Sequence, residues 1–307
     1  MISQRIRVFQ AVANQLSFSR AAEDLSISQP GVTFHIKALE KEYGADLVER
    51  VGKRLFLTDA GRTLAAYVHR MSLLEEEARV ALEELKGLES GLLVVGASAT
   101  IGIYLLPEVV GEFRNRHPGI KVSLRVGNKR HTLERLLRNE LDFGLVAGPV
   151  EEPALAAEPY LEDELVVIVS PAHRFAREPV VYPGELRRDT FLVRESGSGT
   201  QELMEQRLSQ LGIEPADTMQ LGSTEAIKQA VAANLGISVA SRYSVEAELA
   251  SGRLCTANVP ALKMHRRLLL LHHKDKRLSK TAVAFRMLLQ ELSVRQEARA
   301  GVKESRR

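Results

Sequence analysis

Residues 28–37 read Ser-Gln-Pro-Gly-Val-Thr-Phe-His-Ile-Lys and residues 50–54 read Arg-Val-Gly-Lys-Arg. A helix there would turn Val32, Ile36, Leu39 and Tyr43 inward, because they recur at i, i+4, i+7 and i+11. Gln29, Thr33, Phe34, His35 and Lys37 then point elsewhere on its first turns. An amide, a hydroxyl, an imidazole and an amine so grouped match base edges and phosphates in a DNA major groove. Ser28 is placed to cap the helix, and Pro30 suits its first turn. Arg50, Lys53 and Arg54 sit at the tip of a hairpin predicted over 46–58, where they would reach backbone phosphate. The alternative is a small helical subdomain with a solvated polar face.

A second set of residues suggests a ligand. Ser98-Ala99-Thr100, Ser196-Gly197-Ser198-Gly199-Thr200 and Ser223-Thr224 each stand where a predicted strand hands over to a helix. Open α/β sheets bind ligands at such junctions, and helix N-termini with glycine nearby favour anions. Asn128, just after a strand, is a weaker addition. Arg130 and Arg194 lie near these motifs but none contains Arg or Lys, so the expected ligand is a small oxyanion held mainly by neutral donors. Plain N-capping by Ser or Thr explains any single junction equally well.

Other chemistries find little support. The chain lacks GxxxxGK[ST], HExxH and a G-x-S-x-G elbow, and Gly197-Ser198-Gly199 is short of a dinucleotide fingerprint. Its eight histidines show no metal-ligand spacing, and the single Cys255, in an apolar strand, excludes a disulfide framework. No catalytic residue, metal or cofactor is expected. Within 307 residues, 42 basic against 39 acidic groups leave a net charge of +3, so DNA binding would depend on a local surface. Residues 1–62 carry nine Lys/Arg and seven Asp/Glu, which is weak support by itself. The start, MISQRIRVFQ, has no apolar signal core, and the longest apolar runs are far too short to span a bilayer. A cytoplasmic protein without membrane attachment is the expectation.

The elements that must position these groups follow from periodicity. Helices are predicted over 2–14, from Ser17 to Leu25 and from Ser28 onward, followed by the hairpin. From Leu64 a heptad places Leu64, Met71, Ala78 and Leu85 at a, with Tyr67, Leu74, Ala81 and Leu88 at d. Such a seam specifies a helix over 64–88 that pairs with a second copy, although packing on its own domain is the alternative. Beyond Gly91, strands are predicted at 92–98, 120–127, 142–148, 163–170, 190–195, 236–241, 253–259 and 265–273. Helices are predicted at 101–117, 132–140, 200–211, 224–235 and from Ser279 into a basic tail. This alternation predicts parallel sheets covered by helices on both faces, in two units.

The run SFSRAAEDLSISQPGVTFHIKALEKEYGADLVERVGKRLFLTDAGRTL resembles the winged helix-turn-helix of LysR-type transcriptional regulators. The resemblance rests on Ala21-Ala22, Ser28-Gln29-Pro30, the IKALE core at 36–40, Leu47 and Arg50 of the wing, and LTDAG at 57–61. It implies contact with double-stranded DNA through residues 29–37 and the wing. Phe34 departs from the polar or basic group many members carry, which suggests contact with a thymine methyl. GASATIGIYLLP, RESGSGTQELME and GSTEAIKQAVAANLGIS are similar to LysR effector domains, which resemble type II periplasmic binding proteins. Their wording is closest to sulfur- and sulfite-responsive members, and more loosely to regulators of carbon fixation.

The resemblance implies α/β architecture with a DNA-binding domain at 1–58, a linker helix at 59–88 and an effector domain at 89–307. One subdomain would take 91–161 and 268–292, the other 162–267, with a basic tail at 293–307. It also implies a homodimer, a tetramer by family habit, an inverted-repeat site, contact with RNA polymerase, and a small anionic effector. Ser98, Ala99, Thr100, Asn128, Ser196, Ser198, Thr200, Ser223 and Thr224 are the expected effector contacts. A cytoplasmic small-molecule-binding protein or an enzyme on the same fold is the alternative.

Overall fold

Three short helices open the chain, each started by a serine whose hydroxyl accepts a backbone N–H: α1 (Gln4–Gln15) by Ser3, α2 (Phe18–Leu25) by Ser17 and α3 (Gln29–Tyr43) by Ser28. The computed structural model describes residues 3–52, 54–84 and 91–304. Phe9, Val12, Ala21, Val32, Ile36 and Leu39 are buried together and bind the three helices into one core. Tyr43, expected to complete the inward stripe, is exposed because α3 stops there, at Gly44 with φ +66°. The wing follows as β1 (Val48–Val51) antiparallel to β2 (Arg54–Leu57). Helix α4 (Asp59–Glu84) begins beside it. A Cβ on Gly61 would lie 2.0 Å from the Leu47 carbonyl oxygen, so only glycine permits that close approach.

On α4, Val68 is buried and Leu64 packs against the same core, whereas Tyr67, Met71, Leu74 and Ala78 are exposed. Leu85, Leu88 and the Ala81 side chain fall outside the described residues. These elements form one unit, Met1–Leu85 with Asp275–Arg277; Lys86–Lys274 and Leu278–Arg307 form the second.

In the second unit, β3 (Gly91–Ser98) leads into α5 (Ala99–Tyr104) and α6 (Leu106–Arg116). The single helix expected over 101–117 is thus divided at Leu105, because Pro107, in the first turn of α6, has no N–H to donate back to the Ile103 carbonyl. Next come β4 (Ile120–Gly127), α7 (Lys129–Leu137), β5 (Phe143–Ala147) and β6 (Leu155–Val169). Then follow β7 (Thr190–Val193), α8 (Gly199–Gln210), β8 (Asp217–Gln220), α9 (Thr224–Ala232) and β9 (Ser238–Ser241). Helix α10 (Arg242–Ala250), β10 (Cys255–Ala257), β11 (Met264–His273) and α11 (Lys280–Glu304) complete the order. The sequence reading contained neither β8, whose residues are all exposed, nor α10.

The parallel expectation needs correction. β3 pairs parallel with β4 and β5, and β7 with β8, but β6 and β11 run antiparallel along almost their full lengths. β11 is also antiparallel to β5, as β6 is to β9 and β10. The cause is that the chain returns through both halves of the unit on two long strands. The expected subdomain boundaries, 161/162 and 267/268, fall inside these strands, next to a register irregularity between Leu268 and Leu269 opposite Tyr160. Separate apolar clusters fill the two halves, one around Phe113, Phe143 and Phe285, the other around Phe175, Phe191 and Ile237.

Candidate DNA-contacting surface and effector cleft

The outer face of α3 presents polar groups because its inner face is fully committed to the core. Gln29, Pro30, Phe34 and Lys37 are exposed, Thr33 and His35 half-buried. Phe34 is 67% exposed and meets His35 edge-on at 5.7 Å between ring centres, so the core gains nothing from it. Ser28 spends its hydroxyl on the Gly31 N–H, and Thr33 donates to the Gln29 carbonyl at 3.2 Å. His35 Nδ1 is buried without a hydrogen-bond partner. On the wing, Arg50 and Arg54 are exposed, and the Arg50 guanidinium lies 5.8 Å from the centre of the Phe18 ring. Gly52 turns the hairpin at φ +62°, and Lys53 lies outside the described residues.

In the second unit a small polar cavity of about 20 Å³ opens between its halves. Six of the expected effector contacts line it: Ser98, Ala99, Thr100, Asn128, Ser198 and Thr200. Ser98 and Ser198 precede α5 and α8 yet make no capping hydrogen bond, which leaves their hydroxyls free for a ligand. Ser223 does the opposite. Exposed, it caps α9 by accepting from the Ala226 N–H, so N-capping accounts for it. Ser196 lines neighbouring hollows rather than this cavity. Thr224 stands one bond behind the wall, its hydroxyl accepting from Arg194 Nη1 at 2.7 Å. Asn128 accepts from the His131 N–H and so caps α7 as well.

Sequence reasoning noted Arg194 nearby but missed Lys129 and Arg266. Lys129, Arg194 and Arg266 line the cavity and no carboxylate does, so cations stand beside the neutral donors expected there. Arg266 comes from β11, where burial alternates and places it on the inward face with Met264 and Leu268. It donates from Nε to Asp163 Oδ2 at 2.8 Å and from Nη1 to Thr200 Oγ1 at 3.0 Å. Ser241 holds the other oxygen of Asp163 at 2.7 Å. Burial pushes the Asp163 carboxyl up, against the opposing pull of Arg266 and Ser241. Arg194 makes a two-pronged contact with Glu195 at 2.8 and 2.9 Å. Burial works to raise Glu195, but the Arg194 hydrogen bonds prevail and hold it below the usual carboxylate range. Lys129 Nζ donates to Glu202 at 2.9 Å.

A second bridge joins the halves beside the cavity. The Tyr104 hydroxyl donates to Glu225, which also holds Lys228 at 2.8 Å. Lys228 is buried, with Glu248 at 2.9 Å and the Ser244 carbonyl at 3.0 Å, and lies 5.0 Å from the Tyr104 ring centre. Burial, then the bond to Glu225, raises the Tyr104 hydroxyl to about 12. Among the described residues no cluster of His, Cys, Asp and Glu could hold a metal ion, and no helix is long and apolar enough to cross a membrane.

Comparison with known proteins agrees with this layout. Residues 3–62 match the bacterial regulatory helix-turn-helix family of LysR proteins, and residues 86–293 match the LysR substrate binding domain. A RuBisCO operon transcriptional regulator of Allochromatium vinosum is 37% identical over 298 residues, covering 97% of this chain and 98% of that protein. The regulatory domain of Synechocystis CcmR, solved in complex with 2-PG, superposes with a TM-score of 0.63 at 32% identity, over 66% of this chain and 98% of that one. A full-length OxyR from Pseudomonas aeruginosa shares the fold at a TM-score of 0.66 and 24% identity, covering 96% and 95% of the two chains. The similarity is therefore to regulators named for carbon fixation rather than to the sulfur-responsive members favoured by wording alone. With both family signatures in order along one chain and near-complete alignment to a regulator, the chain belongs to the LysR family of DNA-binding transcriptional regulators with an effector-binding domain.

Proposed function

We propose that the regulator is switched by a compact oxyanion, phosphorylated or multiply carboxylated, bound at Ser98, Thr100, Asn128, Ser198 and Thr200 with Lys129, Arg194 and Arg266. The cavity lining carries this reading: three cations, free hydroxyls and no side chain larger than alanine among its apolar members. An aromatic or aliphatic body has no wall to pack against there, whereas an anion meets hydroxyl donors, cations and the unpaired N–H groups that begin α8. CcmR in complex with 2-PG is a relative with a small ligand in the corresponding domain, and carbon metabolism is the field in which an effector is first to be sought.

Residues 1–58 read DNA through Gln29, Pro30, Thr33, Phe34, His35 and Lys37, with Ser28 fixing the helix start and Arg50, Lys53 and Arg54 on phosphate. Residues 59–88 pair two copies through the exposed stripe on α4, so that two modules address an inverted repeat, and 89–307 respond to the effector. Tetramer formation and polymerase contact extend this reading. This reading assigns the cleft binding rather than catalysis, in keeping with relatives that are named as transcriptional regulators. A thermal-shift screen of the full chain tests the effector class. Phosphorylated and multiply carboxylated acids at a hundred times their Kd should stabilise the second unit by about 2.7 kcal/mol. Benzoate should not. Stabilisation by aromatic acids alone would overturn the assignment.

A further inference from the structure

The three cations of the cavity are not equally available. Arg266 and Asp163 have side chains 3% and 0% exposed, so neither can leave the other without stranding a buried charge. Arg194 is gripped at both prongs by the residue next to it, Glu195. Lys129 differs. It belongs to α7, its side chain is 14% exposed, and its partner Glu202 reaches it from α8, in the other half of the unit, with a side chain 50% exposed. Glu202 can swing into water at little cost, while Lys129 stays in the wall.

We propose that Glu202 is a built-in competitor of the effector: from the hollow beside the cavity its carboxylate holds Lys129, and the incoming anion takes Lys129 from it. The proposal rests on the cavity being the effector site, and it adds a threshold of affinity that every anion must exceed. A singly charged oxyanion replacing Glu202 at Lys129 exchanges like for like and gains little. A doubly charged one keeps a surplus of attraction to Lys129 and its cationic neighbours. Displacing Glu202 costs both the same, so it sets a threshold of affinity that a dianion clears and a monoanion does not. The same exchange breaks an ion pair that ties α7 to α8, so ligand entry and loosening of this bridge are one event.

Calorimetric titration of the full chain with sulfate and with nitrate tests this. Wild type should bind sulfate more tightly than nitrate. Glu202→Gln, which preserves volume at a half-exposed site, should bind both more tightly by about fivefold, the upper end for an ion pair this exposed. The gain should be the same for both anions within error, because each displaces the same competitor. Lys129→Gln should weaken sulfate binding by about tenfold, and adding Glu202→Gln to it should restore nothing. Glu202→Asp, whose shorter side chain keeps the charge, should fall between wild type and Glu202→Gln. Sulfate binding in Glu202→Gln within twofold of wild type, or additive effects in the double variant, would overturn the proposal while leaving the effector site intact. Failure of wild type to bind either anion would overturn the site assignment and the proposal together.

Discussion

Arg266 and Asp163 pair across β11 and β6 at 2.8 Å, in a place where neither side chain is appreciably exposed. These are the two strands that pass through both halves of the effector domain, so the pair lies where the halves are joined covalently. Arg266 also donates to Thr200 at the head of α8, and Asp163 accepts from Ser241 at the end of β9. One buried charge pair therefore fixes the orientation of a cavity-lining hydroxyl and of the strand beneath it.

Removing one member leaves the other charged and buried. Arg266→Met should lower the stability of the effector domain by about 3–5 kcal/mol, read from urea unfolding. The double variant Arg266→Met with Asp163→Leu should recover most of that, because replacing both charges by apolar groups removes the desolvation cost. It should not recover anion binding. Loss of less than about 1 kcal/mol in the single variant would show that water reaches the pair.

The bridge from Tyr104 to Glu225 has a pH signature. Tyr104 ionises at about 12 rather than 10.0 because of burial and its bond to Glu225. A phenol raised in the folded state contributes stability fully below its unfolded pKa, and that contribution disappears as pH rises through the folded value. For Glu225 the sign is reversed. Burial raises it, but bonds from Lys228 and Tyr104 outweigh burial and leave it lowered, so its contribution is lost as pH falls below the ordinary carboxylate range. Tyr104→Phe should cost about 1 kcal/mol at pH 8 and remove one late phenolate transition from a rapid-mixing absorbance titration. Loss of an ordinary transition near 10 in place of the late one would show that Tyr104 is not held by Glu225.

The first unit was legible because each helix announces itself locally: a serine cap, then apolar residues at helical spacing, then a stop. Ser28, Val32, Ile36 and Leu39 all occupy the places their spacing assigns. In the second unit the strands at 120–127 and 265–273 were equally plain, but their directions were not. Nothing local reveals that β6 begins at Leu155 and spans both halves, since pairing with β11 is a long-range relationship. The cleft shows the same division. Hydroxyl-rich junctions pointed to it, yet residue type could not separate the capping Ser223 from the uncommitted Ser98 and Ser198. Arg266 did carry a signal: a two-residue period through Met264, Arg266 and Leu268 sets a guanidinium on an inward face, where a charge requires a partner or a ligand.

Pairing of two copies can be tested apart from folding, because the stripe on α4 contributes little to the core of its own unit. Leu74 is 64% exposed, whereas Val68, on the inward side of the same helix, is 1% exposed. Leu74→Glu should therefore leave the melting of the first unit within about 0.5 kcal/mol of wild type, the range for surface substitutions. The same change puts a charge on the d position of a zipper, so sedimentation should shift toward monomer at micromolar concentration. Affinity for a DNA fragment carrying an inverted repeat should fall by about 10²–10⁴, the advantage of holding two half-sites at once. Affinity for a single half-site should hold. If Leu74→Glu sedimented as wild type and kept its operator affinity, the pairing surface would have to be placed off this stripe.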